Sequence, residues 1–185
     1  GLEFDLANLL PVEEAELKKT IAWFLRHRKT LQFGTFRRNP AEENAVSWQV
    51  TGEKESLVAL FHRLIPASPG HEWLYAASLN PREMHQVDSR KQGLRVSRFG
   101  GLLKHIAPVK LDPNGIVLRT ADHHRMMEDG ADTFRCSGAA LRAGVPIAQR
   151  FSGAGYHEAL RVQGDFLSNI YLIQPVGEEN NHKKK

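Results

Sequence analysis

The sequence predicts a mainly β protein, an antiparallel β-sandwich preceded by one α-helix. Three observations carry this reading. An early stretch has apolar residues at helical spacing, the period changes from 3.6 to 2 near Asn44, and many short apolar runs punctuated by glycine and proline follow. At 185 residues the chain is long enough for one domain with its own core, or one domain plus a piece of a neighbour.

The helix is predicted over Pro11 to Lys29, where Leu17, Ile21, Phe24 and Leu25 form one apolar face. Pro11 suits the first turn, Glu13, Glu14 and Glu16 lie near the positive end of the helix dipole, and Arg26, His27, Arg28 and Lys29 lie near its negative end. Gly34 follows the stop. The N-cap is weak, because Leu10 precedes the proline and Asn8 is the nearest good capping side chain.

Beyond Asn44, Val46, Trp48 and Val50 alternate with Ser47 and Gln49, and Thr51-Gly52-Glu53-Lys54 reads as a turn. Leu57, Leu60, Phe61, Leu64 and Ile65 fit a helical stripe or a strand buried on both faces, and the flanking strands favour the strand. Trp73, Tyr75, Ala77 and Leu79 give a second alternating run that ends at Asn80-Pro81. Further strands are expected at Met84 to Val87, Leu94 to Phe99, Ile116 to Arg119, Phe134 to Ser137 and Phe166 to Ile173. Residues from Glu178 to Lys185 form a polar tail, expected to be disordered.

Composition narrows the function classes. Apolar residues make up 41% and charged residues 25%, near the averages for soluble globular domains, and no apolar run approaches the roughly 18 to 20 residues of a membrane helix. No membrane partner is expected. The net charge of +4 rests largely on Lys183, Lys184 and Lys185, and the remaining arginines form no nucleic-acid-binding pattern. A single cysteine, Cys136, cannot form an internal disulfide, which favours a reducing, cytoplasmic setting. The chain begins at Gly1 without an initiator methionine, as an excised piece of a larger protein would.

Chemistry-bearing patterns are sparse. His123 and His124 follow Asp122, but adjacent side chains on a strand diverge and no metal-ligand spacing completes a site, so no metal is expected. Ser152-Gly153-Ala154-Gly155 and Ser137-Gly138-Ala139-Ala140 are not nucleophile elbows, and Cys136 has no evident activating partner. Gly100-Gly101 and the glycines at 153 and 155 read as turns or bulges rather than a phosphate cradle. Sugar cleavage would need paired carboxylates. Glu3, Asp5, Asp88, Asp112, Asp122 and Asp165 are available, though nothing in the sequence pairs them, and Asp112 and Asp165 have ready roles in turns and local backbone bonding. Trp48, Trp73, Tyr75, Tyr156 and Phe166 could stack on sugars. The two tryptophans alternate with apolar neighbours and are expected in the core, which leaves Tyr156, in a glycine-rich loop, as the candidate substrate-binding residue.

Several segments, in order, resemble the C-terminal end of glycoside hydrolase family 36 α-galactosidases of the melibiose- and raffinose-cleaving type. Gly-Leu-Glu-Phe-Asp-Leu at 1 to 6 is similar to the exit from the last barrel strand, and the helix ending in Arg26-His27-Arg28, with Leu31-Gln32-Phe33-Gly34, to the final barrel helix. Ala45 to Val50 and Ser56 to Phe61 resemble the first sandwich strands. Ser137 to Leu141 with Ala143-Gly144-Val145, and Gly164-Asp165-Phe166 with Ser168 to Tyr171, resemble the closing ones. The resemblance implies a remnant of a (β/α)8 barrel over 1–36, a C-terminal sandwich over 37–176 and a tail over 177–185. It also implies a parent enzyme that hydrolyses terminal α-galactosides with retention, through two aspartates upstream of Gly1, and a chain that is itself inactive. Neither a catalytic residue in this chain nor a cofactor is implied. The partners implied are the upstream barrel of the same polypeptide and α-galactoside sugars; the apolar face of the helix adds an expectation of homo-oligomers. A carbohydrate-binding module without catalysis is the alternative.

Overall fold

A computed structural model describes residues 9–64, 72–95, 115–124, 126–128, 131–147, 150–151, 161–162, 166 and 168–177. Helix α1 spans Pro11–Phe33, one turn longer than expected, so its basic residues lie a turn before the end. Pro11 occupies the first turn. Leu10 offers no side-chain cap, and the Glu13 carboxylate instead accepts the Leu10 N–H at 3.0 Å.

Five of the eight expected strands belong to the main sheet; of Leu94 to Phe99, residues 96–99 lie outside those described. The strands of the main sheet are β1 (Thr35–Asn39), β2 (Ala45–Thr51), β3 (Ser56–His62), β5 (Met84–Ser89), β8 (Thr133–Ser137) and β12 (Ser168–Pro175). Their order is β1-β2-β3-β12-β5-β8, antiparallel throughout. The last strand therefore lies between β3 and β5. Three two-stranded ribbons pair β4 (Trp73–Leu74) with β9 (Val145–Pro146), β6 (Gly93–Arg95) with β7 (Met126–Glu128), and β10 (Arg150–Phe151) with β11 (Arg161–Val162). Short helices α2 (Ile116–His124) and α3 (Gly138–Ala143) complete the described elements. The mainly antiparallel β architecture behind one long helix is the predicted fold class.

One face of the sheet carries the core. Val58, Leu60, Val87, Tyr171 and Ile173 cluster there with Leu74, Ala76, Leu141 and Ile147 from the covering ribbon and α3. The directly paired positions Val58 and Tyr171 place these side chains on a common face. Leu57 and Ala59 are buried on the opposite face, so β3 is covered on both sides, and the ambiguous apolar run is a strand.

Three local expectations are corrected. Ile116 to Arg119 is the start of α2, not a strand: Arg119 N–H bonds to Gly115 O at 3.2 Å, and Leu118 and Asp122, four residues apart, are the buried positions. Here helical spacing prevails over the β-branched character of Ile116 and Val117. The alternating run from Trp73 to Leu79 yields only the two-residue strand β4, and Trp73 is 45% exposed rather than in the core. In β2 the polar side faces the core: Ser47 and Gln49 are buried there, and Trp48 lies on the other side with the buried Val50, tilted against Phe36 and Phe61 with ring centroids 6.1 and 6.0 Å away.

The reversal has a backbone cause. The stretch Tyr75 to Ala77 crosses the core face without a strand partner, and its polar groups need hydrogen bonds. Gln49 Oε1 accepts the Ala77 N–H at 2.8 Å, and Asn39 Nδ2 donates to Tyr75 O at 2.8 Å. The loop is fastened by amides that a simple apolar-inward pattern would place outside. Gly138 and Gly144 permit the adjoining approach. A Cβ on Gly138 would meet the Asn80 backbone, and Gly144, at φ +101°, would place one 2.6 Å from Tyr75 Cε1.

Helix α1 lies on the other face of the sheet and is held there mainly by polar contacts. His27 Nδ1 donates to the Glu55 carboxylate, 3.0 Å from both oxygens, and Thr30 Oγ1 donates to Glu55 Oε1 at 2.8 Å. Trp23 packs on His27 at 4.6 Å between ring centroids. Toward the helix start, Arg90 Nη2 reaches Thr20 Oγ1 at 2.5 Å, and Arg95 Nε reaches Glu13 Oε1 at 2.6 Å. Glu55→Ala leaves the buried His27 and Thr30 without their acceptor and is expected to destabilise the chain by about 1–3 kcal/mol. Glu53→Ala removes only the exposed pair with Lys29 and should cost at most about 1 kcal/mol. Urea denaturation of the two variants measures the difference, and equal midpoints would show that Glu55 does not anchor the helix.

Candidate functional site

A group of polar side chains around an aromatic ring lies between α1 and the end of β5. Its cavity, about 670 Å³, is lined by Trp23, Glu16 and Lys19 of the helix, Asp88 to Gly93 from the end of β5 to the start of β6, His124 at the end of α2 and Met126 of β7. Helical spacing puts Glu16, Thr20, Trp23, His27 and Thr30 on the sheet-facing side. Asp88 and Leu172 are paired across β5 and β12 and share the face beneath.

Asp88 is the one sequence-selected carboxylate in this cavity. Gln86 Nε2 donates to its Oδ1 at 3.1 Å. Asp122 is buried in α2 and has interactions of its own. Glu3, Asp5, Asp112 and Asp165 lie outside the described residues, as does Tyr156. Trp48 belongs to the partly exposed Phe36–Trp48–Phe61 strip, Trp73 lies at the sheet margin, Tyr75 is half-buried against Gly144, and Phe166 is exposed. The aromatic candidates do not form one platform. Sequence reading passed over Trp23, although its spacing of four from His27 was a usable sign of a shared helix face.

His123 and His124 occupy the last turn of a helix, not a strand. Their side chains are about 100° apart there. Among the described residues no group of three His, Cys, Asp or Glu side chains could hold a metal ion. Ser137, at the start of Ser137-Gly138-Ala139-Ala140, caps α3: its Oγ accepts the Ala140 N–H at 3.2 Å. Burial pushes the Cys136 thiol above its ordinary range. No described helix is long and apolar enough to cross a membrane.

A separate buried contact sets His62, at the end of β3, against Glu72, just before β4. The Ile147 N–H also bonds to Glu72 O at 2.9 Å. Together these fasten the ribbon to the sheet.

Searches for relatives place this geometry. No family model matches the chain. It is 29% identical over 92 residues to α-galactosidase AgaA of Geobacillus stearothermophilus, a match covering 48% of this chain and 13% of that protein. The solved α-galactosidase from Lactobacillus brevis superposes over 98% of this chain and 19% of its own, with a TM-score of 0.58 at 19% identity. A family 36 AgaA variant from Geobacillus stearothermophilus, solved in complex with raffinose, superposes over 93% of this chain and 17% of its own, with a TM-score of 0.56 at 20% identity. The chain has the fold of the C-terminal region of family 36 α-galactosidases.

The structural likeness extends over almost the entire chain, and the match with AgaA covers about half of it. The chain spans less than a fifth of the length of these relatives. Its helix-plus-sheet architecture thus corresponds to a portion of a much larger enzyme fold.

The raised Cys136 thiol has a direct consequence. Only the thiolate reacts, so at neutral pH the native chain should react with iodoacetamide more slowly than the urea-unfolded chain. Burial opposes the charged form, so the native rate should rise at a higher pH than the unfolded rate does. Mass-spectrometric alkylation kinetics test this, and equal native and unfolded pH profiles would contradict it.

Proposed function

We propose that this chain is the C-terminal accessory and scaffold portion of an α-galactosidase that hydrolyses terminal α-galactosides such as melibiose and raffinose. The single observation that carries the reading is structural likeness to solved α-galactosidases over 93–98% of the chain. The proposed chemistry is retaining hydrolysis through two carboxylates, one attacking the sugar carbon and the other protonating the leaving oxygen. Both would belong to another part of the polypeptide, a catalytic barrel. In the proposed division, 1–36 completes that barrel, 37–176 is the accessory sandwich and 177–185 is a tail. No residue of this chain is assigned a catalytic role, and the proposed setting is cytoplasmic.

The apolar surface supports the proposed partner. Leu17, Ile21 and Phe24 are half-buried, Leu25 is 57% exposed, and the polar side of α1 rather than this apolar side faces the sheet. On the sheet, Phe36, Val46 and Phe61 are also exposed beside Trp48. Covering these side chains removes apolar area from water, with about 1.5–3 kcal/mol gained for each large side chain fully buried. In the parent enzyme the proposed cover for the helix face is the barrel; in the isolated chain it is a second copy.

The purified 185-residue chain is expected to show no turnover of an aryl α-galactoside, whereas the full polypeptide encoded with it hydrolyses that substrate. Turnover by the chain alone, abolished by replacing one of its own carboxylates, would overturn the assignment, as would an inactive full polypeptide. The association prediction is separate. Sedimentation should show oligomers of the chain that dissociate in the Ile21→Glu/Leu25→Glu double variant, and a monomeric parent chain unchanged by these substitutions would refute the helix-face argument.

A further inference from the structure

Helix α1 covers only part of the outer face of the sheet. Directly paired positions share a face, so Arg38, Trp48 and Ala59 form one row across β1, β2 and β3, and Val46, Phe61 and Ser168 form the next across β2, β3 and β12. Arg63 continues this ladder one residue beyond β3. Its N–H bonds to Asn44 O at 2.8 Å, its carbonyl accepts the Phe166 N–H at 3.2 Å, and strand alternation keeps it on the side of Phe61. The row of Val50, Leu57 and Leu172 runs under the helix, where Gly34 meets Val50 and Trp23 shares a cavity with Leu172. Beyond that row the Phe36–Trp48–Phe61 strip is open: Phe36 is 58% exposed, Val46 and Phe61 are exposed, and Trp48 is half-buried.

Two arginines frame the strip. Arg38 and Arg63 are exposed, and neither side chain has an ion pair or hydrogen bond among the described residues. They are two strands and two rows apart, about 17 Å. The positions of β1, β2 and β3 in these rows carry no carboxylate. Glu42 and Glu43 belong to the turn between β1 and β2, where Glu42 lines a small cavity with Leu60 and Tyr75 on the core side. At the Arg63 end, Phe166 is 79% exposed on a backbone with φ +60°, a conformation that bulky residues rarely adopt and that gathers at functional sites.

Exposed aromatic rings with arginines beside them have the composition of an interface centre. A second copy fits poorly, because a two-fold contact would bring four arginines onto one patch of a chain whose net charge is already +4. Two cations are few for a phosphate backbone, and Val46 and Ile170 offer no ring for a base. We propose that the Phe36–Trp48–Phe61 strip docks an acidic partner protein, whose apolar side chains cover Trp48 and Phe61 and whose carboxylates accept hydrogen bonds from Arg38 and Arg63. The strip is separate from the helix stripe that the proposed barrel covers.

The 185-residue chain is titrated with a short synthetic peptide that has a Leu/Phe centre flanked by glutamates. Comparison probes are the same peptide with lysines in place of the glutamates, and an oligothymidylate. Calorimetry reads affinity, and indole N–H resonances report on Trp23, Trp48 and Trp73 in place. Saturable binding of the glutamate peptide is expected, weakened by salt and shifting the Trp48 indole alone. Arg38→Glu/Arg63→Glu should weaken it about tenfold or more, since two ion pairs are lost and two repulsions gained. No saturable binding, equal binding of the lysine peptide, preference for the oligothymidylate, a shift at Trp23 or Trp73 instead of Trp48, or an unchanged affinity in the variant would each overturn the proposal. So would a Trp48 indole that moves with chain concentration alone, which gives the strip to a second copy, or a full polypeptide that does not bind the peptide its isolated chain binds, which gives it to the barrel. The unmodified chain's choice between the two peptides decides the matter even where the variant does not fold.

Discussion

The placement of β12 between β3 and β5 is the constraint on which the rest of the structure depends. Six residue pairs join β12 to β3 and five join it to β5, so it supplies hydrogen bonds on both edges. It also carries Tyr171 and Ile173, both fully buried, into the centre of the core. Without it, β1-β2-β3 and β5-β8 would be two separate sheets with open edges. Tyr171 extends the tie sideways: its hydroxyl donates to Asp132 at 3.1 Å, and Asp132 in turn exchanges backbone and side-chain bonds with Ser89. Burial strengthens this small network because the alternative to each bond is an unpaired polar group away from water.

With the sheet closed, its two faces are treated differently. The core face holds aliphatic side chains plus a few amides, Gln49 and Asn39 among them, that serve a crossing segment whose Ala76 N–H bonds to Leu141 O. The outer face receives α1 through His27, Thr30, Glu16 and Glu13, not through the helix's aliphatic stripe. Polar anchoring of this kind fixes register and orientation, since each donor needs its own acceptor, and it leaves Leu17, Ile21 and Phe24 half-buried and Leu25 exposed. A helix that faced only this sheet would gain more by turning the stripe inward. Its orientation fits an element shared with a second body.

The cavity between α1 and β5 follows from the same arrangement. Trp23 stacks on His27, which is fixed by Glu55, and so the ring position is set by the helix anchor. Asp88 is set by the pairing of β5 with β12. The cavity is therefore bounded by two anchored elements, and Arg90 to Gln92, between β5 and β6, complete its lining.

By itself the sequence determined the helix, the positions of β2, β3, β5, β8 and β12, and the turn at Thr51 to Lys54, because each of these is a local matter of period and turn chemistry. It also carried the resemblance to family 36 enzymes in the order of its segments. Only the tertiary structure decided which face of β2 is core, since Ser47 and Gln49 look like an exposed face until the segment they fasten is in view. The same holds for Ile116 to Arg119, a β-branched start that becomes helical when Leu118 and Asp122 find cover, and for Trp73, whose alternation carried no information about the short ribbon it joins. Asp88 could be selected as a carboxylate but not placed opposite Trp23, sixty-five positions away, because that proximity depends on strand order and on a helix held across the sheet by side chains. Periodicity reports how a residue faces relative to its neighbours in the chain, whereas the partner that meets it is chosen by long-range pairing, and for this protein the decisive pairing is made by its last strand.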